Sequence, residues 1–338
     1  MKQKTLFDEE NRLELLSQLG DPLEILNRVI KWEKLRSVLN QGCRKEDTGK
    51  GGRPPYDVVM MFKILVLQRL YNLSDDHTEY QINDRMSFMR FLGINLCDKV
   101  PDAKTIWKFK NDLAETVDKL FCMFDEHLEK EGLISHKGTI VDATFVDAPR
   151  QRNSRDENKK IKNGEIPEEW EKPENKSKLA QKDTDADWTK KNGERHFGYK
   201  DHVKCDADSK LITNYSVTSA SVHDSQRCLV FIGQEDEVLY ADSAYSGKPI
   251  ALALPENCKN QICEKGYRNS PLTSEQKMNN RRKSRIRCRI EHIFGFMTGA
   301  MHGITIRSIG ITRAWMNIGI TNLVYNFCRY SYLKRTSA

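Results

Sequence analysis

An abrupt change of period at residue 138 sets the architecture of this chain. Gly138–Val146 (GTIVDATFV) is a short β-branched, apolar run of the kind that makes a buried central strand. Asp142 stands in its middle, between Val141 and Ala143. Burying that carboxylate without a cation or donor costs several kcal/mol, roughly, so the strand has to bring it a partner.

What precedes the strand reads as helix. Leu13, Leu15, Leu16 and Leu19 are followed by Leu23, Leu26, Val29 and Ile30, with Gly20-Asp21-Pro22 dividing the two segments and Asp21 capping the second. Residues 41–55 form a glycine-rich polar loop in which Arg44, Lys45, Lys50 and Arg53 make a basic arm or linker. Residues 56–72 are a strongly apolar helix. Ser74-Asp75-Asp76 caps another that reaches about residue 91. Pro101-Asp102 opens a third, to about 130, with Trp107, Phe109, Leu113, Val117, Leu120 and Phe124 at helical spacing.

After the strand, residues 148–195 are a polar insertion. HFGYKDHVKCD and LITNYSVTS follow as two strands joined by the turn Asp206-Ala207-Asp208. EVLYAD is a further short strand ending at Asp242. Residues 272–297 read as one long helix and 310–335 as a last one. The expected class is α/β: a mixed sheet flanked by helices, preceded by an all-helical domain. The expected boundaries are 1–130 (helical), 131–305 (sheet domain, with the insertion at about 150–195) and 306–338 (helical tail).

Asp242 repeats the arrangement of Asp142, an acid at the end of an apolar strand, although Asp is also an ordinary turn former there. Glu291 lies on a helix whose Ile290, Ile293, Phe294 and Met297 form an apolar stripe, and Arg287 stands one turn before it. Arg281, Arg282, Lys283, Arg285 and Arg289 crowd the same segment. A Glu–Arg pair on a helix is usually a solvated ion pair, but this one would stand among phosphate-binding side chains. Three carboxylates can hold Mg²⁺, with Mn²⁺ able to substitute. Two such ions activate a water or 3′-hydroxyl and stabilise a leaving oxygen.

The net charge of +7 favours a polyanion without requiring one. No apolar run is long enough to span a membrane. The nine cysteines contain no C-x2-C pair and read as reduced thiols, several in apolar or helical stretches such as Cys122 and Cys328, in a cytoplasmic protein.

In joint order, GRPPYDVVMMFKILVLQRLYNLSD, INDRMSFMRFLGI, PDAKTIWKFKNDL, VDATFVDAP, DADWTKKNGERHFGYKDH, ADSAYSG and RCRIEHIFG resemble an insertion-sequence transposase of the IS5 group, a DDE-type family, over nearly the whole chain. The resemblance implies a ribonuclease H-like sheet domain with Asp142, Asp242 and Glu291 as catalytic, metal-holding acids and Arg287 beside them. It implies binding of double-stranded DNA at the element's inverted-repeat ends, cleavage there, joining to target DNA, and a homo-oligomer assembled on DNA in a bacterial or archaeal nucleoid. The family's final signature has a Tyr three residues before the Arg and a Lys seven after the Glu, where this chain has Ser284 and Thr298. The departure leaves the acids intact and makes Arg282, Lys283 or Arg289 the candidate substitutes. The alternative is a catalytically inactive, sequence-specific DNA-binding regulator derived from a transposase.

Lys200 and His202 are either strand residues facing a wet groove or phosphate contacts. Trp188, with Lys190, Lys191 and Arg195, is either a surface patch or a platform that stacks on DNA. Asp183, Asp185 and Asp187 mimic the start of a calcium loop, but Trp188 stands where Gly is required. Asp147, an odd number of residues from Asp142, falls on the opposite strand face.

Overall fold

The computed structural model describes residues 8–43, 54–191 and 193–336. They form two compact units: the chain up to Met123 together with the chain from Leu323, and the stretch from Phe124 to Asn322. The basic arm expected around Arg44, Lys45, Lys50 and Arg53 lies outside the described residues.

The first unit is helical: α1 (Asp8–Gln18), α2 (Pro22–Val29), α3 (Arg36–Gly42), α4 (Val58–Leu70), α5 (Asp75–Asp84), α6 (Met86–Leu92), α7 (Ala103–Asp112) and the start of α8 (Val117–Lys130). The caps are where the sequence puts them. Asp21 accepts from the Leu23 N–H, Ser74 from His77 and Asp102 from Thr105, at 2.9, 3.2 and 2.7 Å. Helix α4 is buried nearly all round, which its lack of a polar face demands. Trp32 packs edge-on against Phe62, Phe91 and Phe327.

Two helices expected to be continuous are each broken. Arg85 takes extended backbone between α5 and α6, and its guanidinium lies over the Tyr71 and Phe88 rings. Residues 113–116 form a turn between α7 and α8. Leu113, in that turn, and Val117, just after it, are both buried, so the apolar spacing runs through the break and hides it. Trp107, expected on the buried stripe, is half exposed.

The second unit is built on a mixed sheet. Its strands are β1 (Thr139–Asp147), β2 (Asp187–Lys191), β3 (Glu194–Asp206), β4 (Ile212–Ser219), β5 (Val238–Tyr240) and β6 (Lys259–Asn260). The order is β2-β3-β1-β5-β6, with β4 also pairing β3. Strand β3 is antiparallel to β1, whereas β5 is parallel to it. A helical region followed by this helix-flanked mixed sheet is the ribonuclease H-like arrangement. The turn after β3 is held by Asp206, which accepts the N–H groups of Asp208 and Ser209.

The polar insertion is folded. It contains α9 (Arg155–Lys162), α10 (Glu168–Glu171), α11 (Lys176–Leu179) and β2. Trp170 is wholly buried, and its indole N–H donates to Glu157 at 2.7 Å. Ser154 and Glu157 form a capping box at the start of α9. One buried tryptophan and one cap thus organise a segment whose composition suggests only a loop.

Helix α12 (Ser225–Phe231) contributes Cys228 and Phe231 to a core with Val141, Leu239, Ala241 and Tyr245, while α13 (Lys248–Ala253) adds Ile250. The expected long helix is α14 (Ser274–Arg287) and α15 (Arg289–Thr298), separated at Cys288. Ile290 and Ile293 are fully buried where α15 meets β1. Helix α16 (Ile311–Thr336) closes the chain, with residues to Asn322 in this unit and the rest in the first. Among the described residues no helix is long and apolar enough to cross a membrane. All nine cysteines are free; Cys205, Cys228, Cys258 and Cys263 are buried, whereas Cys122 is exposed and Cys328 half-buried.

Candidate functional site

Strand pairing decides which acids meet. In the parallel β1–β5 pair Ile140 lies opposite Tyr240, and Asp142 and Asp242 each follow two residues on, near enough for the charge of Asp242 to act on the Asp142 carboxyl. Helix α15 covers that face. The Arg287 guanidinium at the end of α14 donates to Asp142 Oδ2 at 2.9 Å and to Glu291 Oε1 at 3.0 Å. Thus one arginine holds two of the three expected acids, and the third lies just past the end of the neighbouring strand.

Local backbone fixes the carboxylates. Asp142 Oδ1 accepts the Ala143 N–H at 2.8 Å, and Asp242 Oδ1 accepts the Ala244 N–H at 2.7 Å as the chain turns after β5. Burial pushes the Asp142 carboxyl up to about 6; the Ala143 N–H and the Arg287 charge oppose that rise, and the charge of Asp242 adds to it. Asp242 Oδ2 and Glu291 Oε2 accept no hydrogen bond from the described residues. The three acids offer the oxygen ligands that a hard divalent cation takes, but their ligand atoms do not all lie within 4.8 Å of one another.

A second cluster escaped the sequence reading. His136, Glu235 and Asp236 offer ligand atoms within 4.8 Å of one another, a spacing one divalent ion can bridge. These residues precede β1 and β5, whereas Asp242 follows β5, so the cluster belongs to the opposite end of the parallel pair. Asp236 already accepts from Thr139 Oγ1 at 2.6 Å, Gly233 N–H at 2.9 Å and Lys204 Nζ at 2.9 Å. An ion there would compete with the Lys204 ammonium, as one at Asp142 and Glu291 would compete with the Arg287 guanidinium. His136, Glu235 and Asp236 are ordinary loop residues in sequence; only the β1–β5 pairing brings them together.

The expected basic contacts divide by surroundings. Lys283 Nζ donates to the Ile262 carbonyl at 2.9 Å, and Arg289 donates to the Ala207 carbonyl and Asp208, at 2.7 and 2.9 Å. Both tie the helix pair to the sheet. Arg281, Arg282 and Arg285 are exposed. Lys200 and His202 lie inside the protein rather than along a wet groove. Lys200 Nζ donates to Asp224 at 2.8 Å and to the Val222 carbonyl at 2.6 Å. His202 is fully buried against Thr218, and burial pushes its imidazole down to about 4. Asp224 spends its carboxylate on Lys200 instead of capping α12. Trp188 is half-buried on β2.

The acids set aside by sequence have structural partners. Asp183 is buried, accepts from Tyr199 and the Ala186 N–H, and with Asp185 holds the start of α16. Asp147 is exposed beside His196.

Two family models match the chain: "Transposase domain (DUF772)" over residues 10–112 and "Transposase DDE domain" over residues 134–327. A solved structure described as "Cryo-EM structure of piggyBac transposase synaptic complex with hairpin DNA (SNHP)" resembles it with a TM-score of 0.46 at 13% identity, covering 96% of this chain and 77% of that one. Since the second model spans more than half of the 338 residues, this chain belongs to the family of the transposase DDE domain.

Proposed function

We propose that this protein is a DNA transposase of the IS5 group that cuts phosphodiester bonds at the inverted-repeat ends of its element and joins the 3′ ends to target DNA. The observation that carries the reading is the Arg287 bridge between Asp142 and Glu291, with Asp242 just past the end of the strand that pairs with that of Asp142. These three acids would hold Mg²⁺, or Mn²⁺ in its place. Bound there, the metal supplies Lewis acidity that sharpens a water or 3′-hydroxyl and stabilises the leaving oxygen.

The chain's own residues prepare that chemistry. Arg287 offsets the repulsion among acids that have to stay ionised near one another. The hydrogen bonds from Ala143 and Ala244 keep Asp142 and Asp242 from turning away. The exposed Arg281, Arg282 and Arg285 offer phosphate contacts on the same helix. The helical unit carries sequence recognition, and two copies of the chain hold two DNA ends.

The test is cleavage of a labelled duplex carrying the element's end, with Mg²⁺. Asp142→Asn, Asp242→Asn and Glu291→Gln are each expected to abolish cutting while end binding survives. Cutting by the Asp242→Asn protein at the wild-type rate would overturn the reading.

A further inference from the structure

We propose that the insertion between β1 and β3 forms a pocket for one unstacked nucleotide of the DNA that the acid site works on. The inference rests on the DNA-processing reading above and adds a second point of grip to it. The pocket has a volume of about 500 Å³, and its lining includes Asn153, Arg155, Asn158, Trp188, Lys190 and Arg195. That lining supplies what a nucleotide asks for: an aromatic wall for the base, amides for its edge and cations for its phosphate.

The walls are built rather than incidental. Trp188 pairs across the hairpin with Phe197, their ring centres 5.1 Å apart, and the Arg150 guanidinium lies 5.9 Å from the indole. Asn153 donates to Asn158 at 3.2 Å and accepts from Lys182 at 2.6 Å, so both amides are held in place. The capping box and buried Trp170 fix α9 behind them. A concavity also of about 500 Å³ adjoins, sharing Gln151 and lined by Arg150, Lys178, Lys182 and Arg307 with one acid, Asp183; it offers a path for the flanking phosphates.

The reach suits one DNA molecule. Gly198, next to Phe197, pairs with Asp147, five residues along β1 from Asp142. Trp188 pairs with Phe197, one residue beyond Gly198, and stands two strands over from Asp142. Six residues at about 3.3 Å and two strand spacings of about 4.8 Å give ~22 Å, or about six nucleotide steps of ~3.4 Å.

The test uses the full chain and two end duplexes, each carrying one 2-aminopurine, that differ only in whether it is paired or opposite an abasic position. The wild type is expected to quench the unpaired 2-aminopurine and to bind that duplex about tenfold more tightly. Tenfold is about 1.4 kcal/mol, within the range of one base–aromatic stack. Trp188→Ala is expected to lose the quenching and the preference while keeping its affinity for the paired duplex, and Trp188→Tyr to retain both. Wild-type protein that binds both duplexes equally, or a Trp188→Tyr protein that loses the preference, overturns the pocket and leaves the transposase reading standing. Wild-type protein that binds neither duplex overturns both.

Discussion

Replacing Asp201 by Asn is expected to stabilise the sheet unit at neutral pH, and the reason lies in two buried oxygens. Asp201 is wholly buried on β3, where Asn322 Nδ2 donates to its Oδ1 at 3.1 Å. Its other oxygen, Oδ2, and the Asn322 carbonyl Oδ1 are both buried without a partner among the described residues. Two acceptors with no donor call for a proton, and burial pushes the Asp201 carboxyl up to about 8 from its ordinary 3.8. The folded chain therefore keeps a proton that the unfolded chain releases. Because the folded state binds more protons between about pH 4 and 8, its stability falls as pH rises through that window, by about 1.4 kcal/mol per unit. At pH 7 the accumulated loss is about 4 kcal/mol, as an upper figure. The Asp201→Asn amide supplies the missing N–H permanently and cannot ionise. Urea unfolding followed by tryptophan fluorescence from pH 4 to 8 measures the outcome. The variant should match the wild type near pH 4 and exceed it increasingly toward pH 8. A difference that does not change with pH would refute the reasoning, because every other titrating group cancels in the comparison.

Lys204→Met leaves Asp236 as an uncompensated buried charge, so a loss of about 3–5 kcal/mol is expected in the same unfolding assay. In that variant, isothermal titration with Mn²⁺ should detect tighter binding at His136, Glu235 and Asp236, since the competing ammonium is gone. Trp170→Ala empties the centre of the insertion at a cost of about 3–5 kcal/mol, and limited proteolysis should then cut between residues 155 and 182 first. Arg287→Met removes a charge that holds the Asp142 carboxyl down, so its titration, followed by carboxyl carbon NMR, should move above about 6.

Helix caps and the central strand were legible because they depend on neighbours in sequence. Asp21, Ser74 and Asp102 cap where their spacing says they do, and the β1 segment GTIVDATFV announces itself by its β-branched residues. The breaks at Arg85, at 113–116 and at Cys288 were not legible. None carries a Gly or Pro, and the apolar spacing continues across the turn at 113–116. The insertion was legible as polar, but not its fold, because average polarity conceals a single organising side chain, Trp170.

By itself the sequence determined the order of helical and sheet regions, the strand that carries Asp142, and Arg287 one helical turn before Glu291. These follow from periodicity and short-range spacing, which act within a few residues. Only the tertiary structure decided that Arg287 also reaches Asp142, 145 positions away, that the charge of Asp242 acts on the same carboxyl, and that Lys200 and His202 are buried. Strand register and burial are properties of pairs of distant segments, and no local pattern encodes which segments will pair.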